Sequence, residues 1–351
     1  MFRSLRLLRA ALCLAVPLTL TWGATAQTVQ GQGATFPSKV YETWAKAFAK
    51  AGGVAVLYKG TGSGDGIKQI TARKVDFGGT DSPLPPAELA KQHLVQIPML
   101  VGGVVPVVNL PGLGGAVQLD GPALADIFLG RIKFWNDGRI AALNPGLSLP
   151  AQPIKRIVRA EKSGTSDGFS RYLSGVSPAF KAEVGASQAP AWPGEPLKAE
   201  GNDGMVQTLR ATSGGIAYVS YDRVLRDKLA AVKLRNAAGR FVLPSERGFA
   251  VAVLESDMHR SGDDLATLLD RPGPEAWPIT LTSFVLVDAE PAQGAQVQGA
   301  LKFLYWCFMH GDDLTRGTGF APLPVSVQSR LAGRFTQVKP RDGALPVYQS
   351  F

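Results

Sequence analysis

Three times in this chain a short loop of small and hydroxyl residues opens a helix-like run, twice directly after an apolar, strand-like run. That alternation confines the fold to α/β layers, because each helix must pack back on the sheet that precedes it. The most informative instance is Arg159-Ala160-Glu161-Lys162-Ser163-Gly164-Thr165-Ser166, between strand-like residues 154–158 and helix-like residues 168–174. Gly31-Gln32-Gly33-Ala34-Thr35-Phe36-Pro37 precedes an amphipathic pattern over residues 40–49, with Trp44 and Phe48 at i, i+4. Gly60-Thr61-Gly62-Ser63-Gly64-Asp65-Gly66 joins a strand at 54–58 to a helix at about 67–73. Each junction offers unpaired backbone N–H groups, a hydroxyl and the positive end of a helix dipole. With the guanidinium of Arg159, the first makes an oxyanion cradle. Ser and Thr are also the commonest helix caps, so one such junction means little. Three in one chain carry more weight.

Residues 1–26 read as a secretory signal: Arg3, Arg6 and Arg9, an apolar run from Ala10 to Leu20, then the small-x-small site Ala24-Thr25-Ala26. Cys13 follows Leu12 rather than a small residue, so no lipid anchor is expected. No later run suits a membrane span, and a soluble periplasmic protein is expected. Cleavage leaves 325 of the 351 residues, enough for two domains, and lowers the net charge from +9 to +6. That excess suits an anionic ligand, while the absence of a dense Lys/Arg block argues against nucleic acid. Cys307 is then the sole cysteine, so no intramolecular disulfide forms, and its apolar surroundings read as a buried helix. His93, His259 and His310 are too scattered for a metal site, and no dinucleotide or Walker pattern occurs. No cofactor is expected.

Further on, residues 101–109 form a β-rich run and Pro111-Gly112-Leu113-Gly114-Gly115 looks like a crossing or hinge. A helix is expected to about Leu129 after Leu119-Asp120-Gly121-Pro122. Residues 186–204, rich in Ala, Pro and Gly, read as an irregular loop. Residues 214–219 and 284–287 read as strands, and a long helix at about 292–310 closes at Gly311. The stretch from about Arg334 is expected to wrap the surface.

These motifs, in this order, resemble the periplasmic phosphate-binding proteins of phosphate ABC transporters. The resemblance rests on Gly33-Ala34-Thr35-Phe36-Pro37, Gly60-Thr61-Gly62-Ser63, Val75-Asp76-Phe77-Gly78-Gly79-Thr80-Asp81 and Val101-Gly102-Gly103-Val104-Val105. It continues through Leu129-Gly130-Arg131-Ile132-Lys133-Phe134-Trp135, Leu143-Asn144-Pro145-Gly146, residues 159–166, Gly201-Asn202-Asp203-Gly204 and Ala276-Trp277-Pro278-Ile279-Thr280. It implies a two-lobed α/β binding protein of type II, with a hinge and the ligand in the interlobe cleft. Residues 27–109 with 280–351 would form lobe I and 110–279 lobe II. The resemblance puts phosphate contacts on Thr35, Phe36 (backbone N–H), Ser63, Asp81, Arg159, Ser163, Gly164 and Thr165. Glu161, where the family usually has Asp, would stand beside the guanidinium. Lys162 and Gly64 replace the commoner Gly and Ser. Implied partners are inorganic phosphate and the transporter's permease, with its ATPase indirectly; the protein would be a monomer and not an enzyme.

Asp81 carries the selectivity logic. Phosphate near neutral pH still carries a proton, which a carboxylate can accept, whereas sulfate offers that carboxylate only like charge. A site that demands such a bond rejects analogues lacking it by roughly 10⁴-fold or more. Asp76 reads as structural. Within the same class, sulfate or arsenate is the alternative ligand. The rival class is a serine hydrolase, since Gly164-Thr165-Ser166-Asp167-Gly168 fits the G-x-S-x-G elbow. It would need His259 or His310 to reach Ser166.

Overall fold

The computed structural model describes residues 28–113 and 117–349. The expected signal, with Cys13, and Gly114-Gly115 of the expected crossing lie outside the described residues. The architecture is mixed α/β, built on a ten-stranded sheet and a separate three-stranded one. The main sheet runs Val56–Gly60, Val29–Gly33, Phe77–Thr80, Thr280–Asp288, Leu94–Asn109, Gly215–Ser220, Lys155–Arg159, Leu197–Ala199. Phe320–Pro322 and Ala230–Ala231 also pair with Leu94–Asn109.

Leu94–Asn109 ties the molecule together. Residues 94–103 pair antiparallel with Thr280–Asp288, and residues 104–109 pair antiparallel with Gly215–Ser220. The handover falls at Gly103 and Val104, where the Val104 N–H donates to the Ile279 carbonyl at 2.8 Å. The indole N–H of buried Trp277 donates to the Val104 carbonyl at 2.9 Å. Gly102 and Gly103 are tight for a reason: a Cβ on either would lie 2.6 Å from Phe320 or 2.3 Å from Phe249. Every residue of this strand but Asn109 is buried, so its apolar run is continuous rather than alternating. The strand is longer than the β-rich run at 101–109, because 94–100 reads equally well as the run between two loops.

Two helix starts lie earlier than the apolar periodicity suggested. Ser63–Thr71 and Gly164–Val176 include the Gly and Ser residues of their loops in the first turn. The expectation of an irregular loop over 186–204 is overturned in its last third. Leu197–Ala199 forms an edge strand parallel to Lys155–Arg159, and Gly201–Ala211 is a helix. That strand has three residues, two of them exposed, so no alternation marks it. The long helix spans Gly294–His310 and buries Cys307, whose thiol is pushed up by that burial. Near the C-terminus, Tyr348 packs on Tyr305 and Phe335, as a surface-wrapping tail does. Asp76 has the structural role expected of it and accepts from the Gln30 N–H at 2.7 Å.

Gly33 marks where the first half of the sheet delivers the site. Its φ is +145°, and its carbonyl accepts from the N–H groups of Thr61 and Gly62. A Cβ there would sit 2.1 Å from the Gly79 carbonyl oxygen of the neighbouring strand. Gly33→Ala is expected to lower stability by about 2–4 kcal/mol through strain and overpacking. Urea unfolding with an unchanged m-value checks this.

Candidate functional site

The three small-residue junctions meet. Thr35 leads into the helix Ser38–Lys50, Ser63 opens Ser63–Thr71, and Ser163 caps Gly164–Val176. The fit is close: a Cβ on Gly164 would lie 2.5 Å from the Ser63 hydroxyl and 2.7 Å from the Asp81 Cβ. The Gly64 N–H donates to the Lys162 carbonyl at 3.3 Å. Only glycine at 164 allows this approach.

Arg159 ends its strand with a side chain almost out of water; the residue is 6% exposed. Its Nε donates to Glu161 Oε1 at 2.7 Å, and Nη2 donates to the same oxygen and, at 3.0 Å, to the Thr35 hydroxyl. Nη1 is buried with no hydrogen-bond partner. A buried guanidinium N–H left open is a donor prepared for an anion. The Gly164 and Thr165 N–H groups, in the first turn of their helix, have no carbonyl one turn back. The Ser163 side chain caps that helix by accepting from the Ser166 N–H at 3.2 Å.

Asp81 is the opposite charge, 4% exposed. The Ser63 hydroxyl accepts from the Asp81 N–H at 3.1 Å, and Ser283 donates its hydroxyl to Asp81 Oδ1 at 2.7 Å. Burial pushes the carboxyl up to about 7, against the opposing pull of the Ser283 hydroxyl and the Arg159 charge. The site therefore couples donors on one side to a titratable acceptor on the other. A cavity of about 620 Å³, lined by Thr35, Thr61, Glu161 and Asn202 among others, opens on the Thr35 side. A second of about 310 Å³, lined by Asp81, Leu84, Arg171 and Leu281, opens behind Asp81.

Thr35, Ser63, Asp81, Arg159, Ser163, Gly164 and Thr165 thus converge, with the Phe36 residue buried beside Thr35 and Glu161 against the guanidinium. Three contributors escaped the sequence reading. Asn202 donates its amide to the Thr35 hydroxyl at 3.3 Å while its carbonyl oxygen accepts from the Ser220 N–H at 3.2 Å. The Tyr218 hydroxyl accepts from the Arg159 N–H at 3.2 Å and pairs with the Ser166 hydroxyl at 2.8 Å. Ser283 stands in the polar first half of its strand, after Thr280 and Thr282, where no local pattern singles it out.

Ser166 is not a poised nucleophile. Its hydroxyl is buried and engaged by the Tyr218 phenol, which burial pushes up to about 12. His259 sits on the four-residue helix Asp257–Arg260, and the His310 ring packs on Trp306. Among the described residues no group of His, Cys, Asp and Glu could hold a metal.

A mixed α/β fold that gathers three helix starts around a buried arginine and a buried carboxylate is that of a periplasmic-binding-protein-type solute receptor. A family model described as a PBP superfamily domain matches residues 19–309. The chain is 39% identical over 304 residues to the phosphate-binding protein PstS of Xylella fastidiosa (strain Temecula1), covering 86% of this chain and 83% of that one. It is 39% identical over 320 residues to PstS of Haemophilus influenzae Rd, covering 90% and 95%. In fold it is similar to a phosphate-binding protein from Stenotrophomonas maltophilia, with TM-score 0.67 at 22% identity over 88% of this chain and 94% of the other. It is also similar to a high-affinity periplasmic phosphate-binding protein bound with phosphate, TM-score 0.69 at 22% identity over 88% and 93%. The chain belongs to the PstS family of phosphate-binding proteins.

Asp81 gives a pH signature that needs no ligand. Its carboxyl is ordinary when unfolded, at 3.8, and near 7 when folded. Below the first value both states are protonated; between the two the unfolded chain ionises first, so Asp81 lowers stability as pH rises. Asp81→Asn, stripped of anions, is expected to be more stable than the parent at pH 8, by at most roughly 4 kcal/mol. The gap should close toward pH 4. Denaturant titrations at a series of pH values measure it.

Proposed function

We infer that this protein binds inorganic phosphate between its lobes and carries out no chemistry on it. The single observation behind this reading is a buried, unpaired Arg159 Nη1 close to a buried carboxylate, Asp81, whose charge the guanidinium favours. Donors alone would take any tetrahedral anion; an acceptor among them selects one that brings a proton. The relatives named above carry phosphate binding in their own names, in agreement.

The ligand contacts are assigned to Thr35, the Phe36 N–H, Ser63, Asp81, Arg159, Ser163, Gly164 and Thr165. Glu161 holds the guanidinium and partly neutralises it. Ser163 contributes through its hydroxyl, since its N–H already donates to the Gln188 carbonyl at 2.9 Å. Charge-assisted hydrogen bonds contribute roughly 1.5–3 kcal/mol each, so several suffice for micromolar to nanomolar binding after the entropy of closure. Residues 27–109 with 280–351 are proposed as lobe I and 110–279 as lobe II. The handover within Leu94–Asn109 argues for placing the first crossing at Gly103 and Val104, a few residues before that boundary.

The biological setting is a proposal of the same kind. Among the described residues no helix is long and apolar enough to cross a membrane, and the N-terminal run suits export to the periplasm. There the loaded, closed form would be read by the permease of a phosphate ABC transporter, occupancy being converted to shape by the hinge.

Two outcomes are expected. Phosphate raises the melting temperature of the purified protein while equimolar sulfate does not; equal shifts from both would defeat the selectivity argument. Arg159→Ala weakens phosphate binding about 100-fold in a calorimetric titration, since it removes the charged donor and leaves the half-buried Glu161 carboxylate without its charged partner.

A further inference from the structure

We propose that Ser283 is a positioning residue for anion selectivity, its hydroxyl occupying one oxygen of Asp81 so that the other faces the ligand as an acceptor. This rests on the phosphate reading above. The placement is built into the sheet. Thr280–Asp288 runs antiparallel to Phe77–Thr80 with Phe284 opposite Thr80 and Val285 opposite Gly79. One step further along that ladder, Ser283 stands opposite Asp81. On its other side the same strand slips register, with Ser283 opposite Leu100 and Phe284 opposite Pro98. Such bulges re-aim side chains next to functional sites. The product is a fully buried hydroxyl that donates to Asp81 Oδ1 at 2.7 Å.

The chemistry follows from what a dehydrated carboxylate does without donors: it takes up a proton. A protonated Asp81 would be a donor instead of an acceptor. It would lose the bond to the phosphate O–H and would no longer reject sulfate, whose four oxygens are all acceptors. The Ser283 hydroxyl favours the ionised form and fixes which oxygen stays open. Other groups facing Asp81 are Arg159 from Lys155–Arg159, Tyr41 from Ser38–Lys50 and Tyr58 from Val56–Gly60. Burial pushes both phenols up, so they stay neutral. Across the smaller cavity stand Asp167 and Arg171, paired at 3.1 Å. None of these donates a hydrogen bond to Asp81 in place of Ser283; the Ser63 hydroxyl meets its backbone N–H, not its carboxylate.

Sulfate makes the test clean, because it carries no proton across roughly pH 5 to 9 and its binding reports the protonation of Asp81 alone. Phosphate-stripped full-length protein is titrated calorimetrically with phosphate and, separately, with sulfate over that range. Parent, Ser283→Ala and Ser283→Thr are compared. Ser283→Ala is expected to weaken phosphate about tenfold near neutral pH and to move the onset of sulfate binding about one pH unit upward. Ser283→Thr, which keeps the hydroxyl, restores both. Where the alanine variant does not fold, Ser283→Cys, nearly isosteric with only a weak donor, is expected to show the same two shifts. Phosphate weakened by one factor at every pH, with the sulfate onset unmoved, overturns the proposal, as does no change at all. A parent protein that fails to bind phosphate overturns the functional reading instead, so the two failures are distinguishable.

Discussion

Arg159 and Asp81 are both withdrawn from water and close enough to feel each other's charge, yet no hydrogen bond or ion pair joins them among the described residues. Each is held by a different partner: Glu161 grips the guanidinium from its own loop, and Ser283 grips the carboxylate from a strand two hundred residues downstream. Had they met, the site would be a buried ion pair with nothing left for a ligand. Kept apart, Arg159 retains a buried N–H with no partner, and Asp81 has a side-chain hydrogen bond on Oδ1 alone among the described residues. Low local polarity strengthens both, and it also makes an unsatisfied group expensive, so only a ligand that answers each is held.

The sheet explains how two charges from remote parts of the chain acquire this relation. Leu94–Asn109 belongs to both halves, changing partners at Gly103 and Val104. Its neighbour Thr280–Asp288 returns the chain to the first half and carries Ser283 to Asp81 in the same stroke. Trp277, buried at the handover, ties the returning segment to the strand it rejoins. A strand that changes partners at one place keeps a separate register with each half, an arrangement suited to rotation about that place.

The α/β class and the convergence of three helix starts were legible because small-residue loops between a strand and a helix have a strong local signature. So was the grouping of Thr35, Ser63, Asp81, Arg159 and Gly164, which the order of their motifs suggested and the structure brings together. The supporting layer was not. Asn202 bridges the Thr35 hydroxyl and the Ser220 N–H, and Tyr218 bridges Arg159 and Ser166. Those roles arise from long-range packing that no local pattern encodes. Leu197–Ala199 was missed for a related reason: an edge strand of three residues owes its existence to the strand beside it. The G-x-S-x-G match misled in the opposite sense, since Gly164 and Gly168 are small to admit neighbours. Ser63 and Asp81 crowd the first, and Leu281 crowds the second at 2.4 Å from a Cβ.

Two of the three departures from the family pattern, Gly64 and Lys162, become one feature in three dimensions. A Cβ on Gly64 would lie 2.5 Å from the Cβ of Lys162, so a side chain at 64 and one at 162 exclude each other. The commoner arrangement, Ser at the first position and Gly at the second, puts the side chain on one wall of the cleft; here it stands on the other. The contact these residues make is otherwise backbone to backbone, the Gly64 N–H to the Lys162 carbonyl, and that survives the exchange. Ser63 and Ser163, each one residue away, keep their own hydrogen bonds whichever wall carries the side chain.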